Sequence, residues 1–329
     1  MKKKLTAVIL AAVLVAVFLP GCKKNVGTPE DNPVQEDTGE NTPEEEYIFA
    51  YSCGDLSDPF YDVLKESIRA GAEEQGHRLV VKDAGQDAAQ QAEQLAALAE
   101  EDVDAVFLCP LDEEVITPSL EMLGEAGIPV IDLSVRLEGA DLFDAFIGAD
   151  ESNAGKVCGD DLMQRRTNGG TLVIVEDSGN SLINQRITGF EEAVQSGGFE
   201  VIKRIDAGKT TVGVQAEMEQ LLSGADHIDA VMCGEDRMAK EVLAAFEKTE
   251  GTGTVVYSVG GSPDIKKALL DPQSPMMGTG ALSPVNMGKT AVKTAAAIME
   301  GGQYEKETTI ETFLISRDNL EIYGTDGWQ

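Results

Sequence analysis

The sequence predicts an α/β protein built as two doubly wound parallel-sheet lobes, and three observations predict it. From Tyr47 onward, apolar strand-like runs alternate with amphipathic helix-like runs, one pair in about 20 to 30 residues, the pattern of a parallel sheet covered by helices on both faces. The series restarts after Asp150, so the second half repeats the architecture of the first. The chain has 329 residues, more than an ordinary single domain holds. No residue pattern recurs at a solenoid period, so the likeness of the halves is architectural.

The stretch Ala50 to Gly76 shows the logic of one unit. Tyr47 to Cys53 is rich in apolar, β-favouring side chains, as a strand buried on both faces requires. Asp58 can cap a following helix, Pro59 fits its first position, and Gly76 supplies a left-handed stop. Phe60, Leu64, Ile68 and Ala72 recur every four residues and form its buried stripe. Further strands are expected at Arg78 to Lys82, Ala105 to Cys109, Val130 to Leu133 and Phe143 to Ile147, with helices at Pro59 to Gln75, Ala88 to Glu100 and Val115 to Ala126. The second lobe reads as helix Ala154 to Arg165, strand Thr171 to Glu176, helix Asn184 to Gln195, strand Glu200 to Ile205, helix Val214 to Leu222, strand Asp229 to Cys233, helix Met238 to Lys248 and strand Val255 to Val259. A strand at Met277 to Leu282, a helix opened by Ser283-Pro284, one last strand at Ile310 to Ile315 and an irregular polar tail complete it.

The first 22 residues read as a targeting segment: Lys2, Lys3 and Lys4 precede an uncharged run from Leu5 to Leu19, too short for the roughly 20 residues of a spanning helix. The ending Leu19-Pro20-Gly21-Cys22 resembles a bacterial lipobox, which implies that Cys22 becomes the lipidated first residue and anchors the protein to the membrane. The competing reading, an uncleaved anchor helix, leaves the protein on the same side of the same membrane. Residues 23–46 carry Pro29, Pro33 and Pro43, eight carboxylates against two lysines and few apolar side chains, the composition of a disordered acidic tether. The formal net charge of −32 argues against nucleic acid as a partner and for a soluble, self-repelling surface.

Loops after the strands are short, polar and punctuated by glycine, as cleft-lining loops should be. None holds a phosphate-cradling glycine motif, and Gly260-Gly261-Ser262-Pro263 reads as a turn. His77 and His227, the two histidines, fall at positions remote from a carboxyl-edge cleft, so a hydrolytic triad has no support and no enzyme is expected. Cys53, Cys109 and Cys233 close strands and could converge on a soft metal, against which stands the reading of buried thiols packing as small apolar groups; no metal or cofactor is expected.

From Tyr47 to about Ser316 the chain resembles the type I periplasmic sugar-binding proteins of the ribose-binding class, which serve ABC importers and share their core with LacI-type repressors. The resemblance rests on seven segments in the family's order: Ser57 to Tyr61, Gly76 to Val81, Gly127 to Ile131, Ile147 to Gly155, Arg186 to Phe190, Glu235 to Ala239 and Gly261 to Asp264. No DNA-binding helix-turn-helix precedes Tyr47. The resemblance implies a three-crossover hinge near Gly148 to Glu151, Ala281 to Pro284 and Thr312 to Ser316. It divides the chain into a lobe of residues 47–149 with 283–312 and a lobe of 150–282 with 313–329, and a monomer is expected. It also implies that Asp58 contacts solute hydroxyls and that Phe60 and Tyr61 stack on a sugar ring, with core packing the competing role for Phe60.

Departures from the family pattern reset the expected ligand. Ser134-Val135 replaces an Asp-Arg pair and Arg136 comes one place late; Asn184 replaces a cleft Arg; Lys209 stands near an aromatic position; Glu235 replaces an Asn, Gly260 an Asp and Leu282 the hinge Gln. Polyol readers depend on charge-assisted hydrogen bonds, and each hydroxyl buried unpaired costs about 1 to 3 kcal/mol, so ribose itself is not expected. With Asp58 and Glu235 offered from opposite lobes, the partner expected is a small polar solute, sugar-like or neutral to cationic, delivered to an ABC permease. A ligand sensor docking on a receptor or histidine kinase would use the same cleft.

Overall fold

The computed structural model describes residues 46–139, 141–224, 227–248 and 253–329. The expected leader with Cys22, and the acidic tether up to residue 45, lie outside the described residues. The first half runs β1 (Ile48–Cys53), α1 (Pro59–Glu74), β2 (Arg78–Asp83), α2 (Ala88–Leu98), β3 (Ala105–Leu108), α3 (Glu113–Ala126), β4 (Val130–Leu133) and β5 (Ala145–Ala149). The second runs α4 (Glu151–Arg165), β6 (Gly170–Glu176), α5 (Ser181–Val194), β7 (Phe199–Asp206), α6 (Val214–Leu222), β8 (Ala230–Cys233), α7 (Asp236–Phe246), β9 (Val255–Gly260), α8 (Pro263–Leu270) and β10 (Met276–Ala281). Then come α9 (Pro284–Met299), β11 (Glu307–Ile310), β12 (Phe313–Ser316) and α10 (Leu320–Tyr323).

These strands form two six-stranded sheets, ordered β11-β5-β4-β3-β1-β2 and β12-β10-β9-β8-β6-β7. All pairings are parallel except β10 with β12. The chain passes between sheets three times, from β5 to α4, from β10 to α9, and from β11 to β12. The single strand expected at Ile310 to Ile315 is two short ones in different sheets: Ile310 pairs with Ala149, whereas Phe313 pairs with Ala281. Glu311-Thr312 interrupts it, and an apolar run broken for only two residues does not betray a change of sheet. Thr312 is buried there, its hydroxyl 3.1 Å from the Asp150 carbonyl and 3.0 Å from Asn153 Nδ2, so the third crossing is pinned to the first.

Local chemistry explains the element ends. Asp58 Oδ1 accepts from Phe60 N at 2.9 Å, with Pro59 as the first helical residue, and Gly76 stops the unit at φ +80°. Asp112, Asp150 and Asn180 cap α3, α4 and α5 in the same way, which starts these helices ahead of their first apolar residue and ahead of the predicted starts. Ser262-Pro263, expected as a mere turn, caps and opens α8, an eight-residue helix too short to show a helical period.

The first sheet carries a core on each face. Leu64, Ile68 and Ala72 of α1 pack with Met287, Ala291 and Ala295 of α9 on one, and Leu95, Leu98, Ile116, Leu120 and Leu123 of α2 and α3 fill the other. A single larger cluster fills the second lobe. Its helices α4 and α5 cross at backbone contact: a Cβ on Gly155 would lie 1.7 Å from the Arg186 carbonyl oxygen, and one on Gly189 2.0 Å from that of Ser152. Neither neighbour can yield without parting the helices. Gly155→Ala is therefore expected to destabilise the protein by about 3 kcal/mol, read as a lowered urea midpoint at unchanged slope.

Candidate functional site

The loop after β1 and the loop after β8 bring the two lobes into contact. Phe60, at the start of α1, packs against the cores of both lobes. Beside it Arg237 of α7 holds its Nε 3.8 Å from Asp58 Oδ2 across the seam. Arg237 Nη2 also lies 2.8 Å from Glu235 Oε1, but without hydrogen-bond geometry, so that buried oxygen has no donor. Burial pushes the Glu235 carboxyl above its ordinary range, against the pull of Arg237 and Arg186.

Tyr61 lies behind Phe60, with 5.4 Å between ring centroids at 85°. Burial drives its phenol pKa up, with Asp58 adding and the Ser134 side chain opposing. Ser134 itself sits just past β4 at φ +72°, a strained backbone for a residue with a Cβ. Under it, Asp132 Oδ2 accepts from Leu137 N at 2.8 Å and fixes the loop, while Oδ1 is buried and unpaired. Tyr51 donates from its hydroxyl to the Tyr61 carbonyl at 3.2 Å and stands 3.5 Å from Cys109 Sγ. Cys53 neighbours Cys109; a hydrogen bond from Cys109 lowers the Cys53 thiol, and burial raises Cys109. Cys233 packs in the core of the other lobe, and among the described residues no three metal-ligating side chains cluster.

The structure gathers Asp58, Phe60, Tyr61, Ser134 and Glu235 around one seam and sends other predicted site residues elsewhere. Arg136 turns to Glu307 at 2.6 Å and lies over the Phe146 ring, at the amino-terminal end of β11, so it is spent on the outer edge of the first sheet. Leu282 packs into the second lobe's core and offers only backbone, its N–H donating to the Gly260 carbonyl at 2.9 Å. Gly260 has φ +151°, and a Cβ there would fall 2.6 Å from the Asp236 carboxylate. That carboxylate is itself saturated by Ser258 Oγ, Ser262 N and Thr279 Oγ1. Asn184 is exposed on the first turn of α5 and donates to the Ser178 carbonyl at 3.1 Å. Nothing is described of the Lys209 side chain. Sequence reasoning missed Arg237 as a bridging cation, although it lies inside the quoted segment Glu235 to Ala239, and missed Trp328, whose signal was an isolated aromatic in a polar tail.

Two mostly parallel sheets that meet through loops at their carboxyl edges and are joined by three crossovers define a two-lobed solute-binding protein of the type I periplasmic binding protein fold. Residues 49–303 match the family described as periplasmic binding protein domain, and the chain belongs to it. The ribose import binding protein of Escherichia coli is 25% identical over 261 residues, covering 79% of this chain and 87% of its own. The D-ribose/D-allose-binding protein of Pseudomonas aeruginosa is 22% identical over 328 residues, covering 95% and 98%. Among solved structures, an ABC transporter solute-binding protein of Bacillus halodurans with bound myo-inositol superposes at a TM-score of 0.76 with 23% identity, over 84% of this chain and 97% of that one. One from Actinobacillus succinogenes with bound D-allose gives 0.77 with 20% identity, over 84% and 100%.

Burial pushes the Asp132 carboxyl up to about 7, with Glu113 adding and Arg136 and the Leu137 N–H opposing. A raised folded-state pKa means that the folded protein holds this proton where the unfolded chain, titrating near 3.9, has lost it. The stability this supplies is full below about pH 4 and falls away as pH rises to about 7. Asp132→Asn is expected to melt above the parent at pH 8 by on the order of 2 to 4 kcal/mol of stability, with the gap closing toward pH 4 in a pH series of thermal melts.

Proposed function

We propose that the protein is the solute-binding lipoprotein of an ABC importer, capturing a sugar or other small polar solute between its lobes and performing no chemistry. One observation carries this reading: Asp58 and Tyr61 from the first lobe and Glu235 and Arg237 from the second meet at one seam, supported by a half-buried apolar wall at Phe60. Two carboxylates accept from donor-rich groups, a guanidinium donates, and the aromatic faces suit the C–H side of a ring. Residues 47–149 with 283–312 and residues 150–282 with 313–329 move as bodies about the three crossovers. A solute that touches both bodies binds the closed arrangement better and shifts the population toward it, and a permease that reads the joined surface then distinguishes loaded from empty protein. The ribose import binding protein and the D-ribose/D-allose-binding protein among its relatives support the solute class.

Thermal shifts against sugars, polyols, nucleosides and amines test the class, and no shift with any of them would end the reading. Asp58→Asn keeps an amide oxygen to cap α1 but loses the charge, so it is expected to fold normally and weaken solute binding about 10- to 100-fold in calorimetric titration. The anchor belongs to the same proposal: Cys22→Ser is expected to abolish lipid labelling and the lipidated mass of the mature amino terminus.

A further inference from the structure

Residues Gly324 to Gln329 follow α10 and join neither sheet, yet three contacts hold them. Lys266, fully buried on the inner face of α8, donates from Nζ to the Gly327 carbonyl. The Trp328 ring stands edge-on to Phe60, with 6.0 Å between centroids at 76°. The Gln329 main-chain oxygen accepts from Val285 N at 3.2 Å, in the first turn of α9. Lys266 belongs to the second lobe, whereas Phe60 and Val285 lie on helices of the first, so the segment spans the seam.

A segment that merely covered surface would pair its polar groups with protein or present them to water. Gln329 does neither. Its Oε1 and Nε2 are both buried without a hydrogen-bond partner, and Oε1 lies 2.9 Å from where a Cβ on Gly261 would stand, close to Ala281 at the second crossover. Ser283 Oγ, two residues before Val285, is also buried and without a hydrogen-bond partner, and Glu235 Oε1 is buried with an ion-pair contact to Arg237 at 2.8 Å but no hydrogen bond. Among the described residues seven buried side-chain polar atoms lack a hydrogen-bond partner, and four of them belong to Gln329, Ser283 and Glu235, the last of which Arg237 still meets as an ion pair. Leaving such an atom unpaired costs about 1 to 3 kcal/mol, so this concentration marks groups that a ligand satisfies. Leu282, between Ala281 and Ser283, supplies no polar side chain of its own.

We propose that Trp328 and Gln329 are ligand-binding residues, the indole forming an apolar wall with Phe60 and the Gln329 amide reading hydroxyls of a small neutral polyol. This rests on the reading of the seam as the solute site. The amide offers a donor beside its acceptor, Ser283 offers both, and Glu235 accepts; hydroxyl groups, which donate and accept, match that mixture. A cation would leave the Nε2 donor unpaired.

Trp328 is the one tryptophan of the chain, so intrinsic emission reports on this segment alone. The test titrates D-ribose, D-allose, allitol and myo-inositol into the full chain and reads thermal shift and fluorescence together. Any polyol that raises the melting temperature is expected to alter Trp328 emission and shield it from acrylamide. Gln329→Ala should weaken that polyol roughly 5- to 30-fold, the factor that corresponds to the loss of one or two kcal/mol, while melting no lower than the parent in its absence. Trp328→Phe should bind more tightly than Trp328→Ala. A polyol that raises the melting temperature yet leaves the emission unchanged and binds Gln329→Ala with parental affinity overturns this assignment and leaves the solute reading intact. If none of the four binds, the polyol assignment falls whatever other solute the seam takes.

Discussion

The buried ion pair between Arg186 and Glu151 is the constraint on which the second half of the site depends. Arg186 Nε meets Glu151 Oε2 at 2.6 Å and its Nη1 donates to the Gly234 carbonyl at 3.1 Å. One guanidinium thereby joins the first crossover, helix α5 and the loop that carries Glu235 and leads into α7 with Arg237. Both partners are almost fully buried, so removing either would strand a charge, a change that costs about 3 to 5 kcal/mol in proteins. The pair can form because Gly155 and Gly189 let α4 and α5 approach to backbone contact. Small residues set the helix spacing, the spacing places the guanidinium, and the guanidinium aims the loop.

On the other side, the same result is reached with aromatic and strained backbone parts. Tyr51 braces the Tyr61 carbonyl, and Ser134 is held in a left-handed conformation in the loop that the Asp132 carboxylate fixes. A loop fixed by buried hydrogen bonds resists rearrangement, so the lobe closure proposed above would concentrate in the crossovers. Phe60 belongs to both cores and is the apolar part of the contact between the lobes, while Asp58 and Arg237 give it a charged part. An ion pair at 3.8 Å with a half-exposed guanidinium is weak, so it orients the lobes more than it binds them. Such a contact can be exchanged for a ligand at little loss.

Gly260 and Leu282, two of the positions expected at the site, offer no polar side chain there. Asp236 occupies the space that a side chain at position 260 would need and satisfies itself on Ser258, Ser262 and Thr279. Leu282 turns into the core. Polar groups near the second crossover come instead from Ser283 and, from a distant part of the chain, Gln329. The peripheral segment can reach there because Lys266 is buried far enough under α8 to hold Gly327 by its carbonyl.

Sequence alone determined the layout: alternating strand and helix periods, the Asp58-Pro59 start of α1, the Gly76 stop, two lobes and the family resemblance all follow from local patterns that register within a few residues of chain. It also pointed to the loops after β1 and β8, among the loops that follow the other strands, because strand ends and helix caps are written in neighbouring side chains. Only tertiary structure decided that Ile310 and Phe313 belong to different sheets, that Arg136 turns to Glu307 and Leu282 to the core, and that Trp328 comes to lie on Phe60. The reason is physical: which way a side chain points at a sheet edge depends on the charge or cavity that happens to face it, and the facing residue lies in these cases tens to hundreds of positions away.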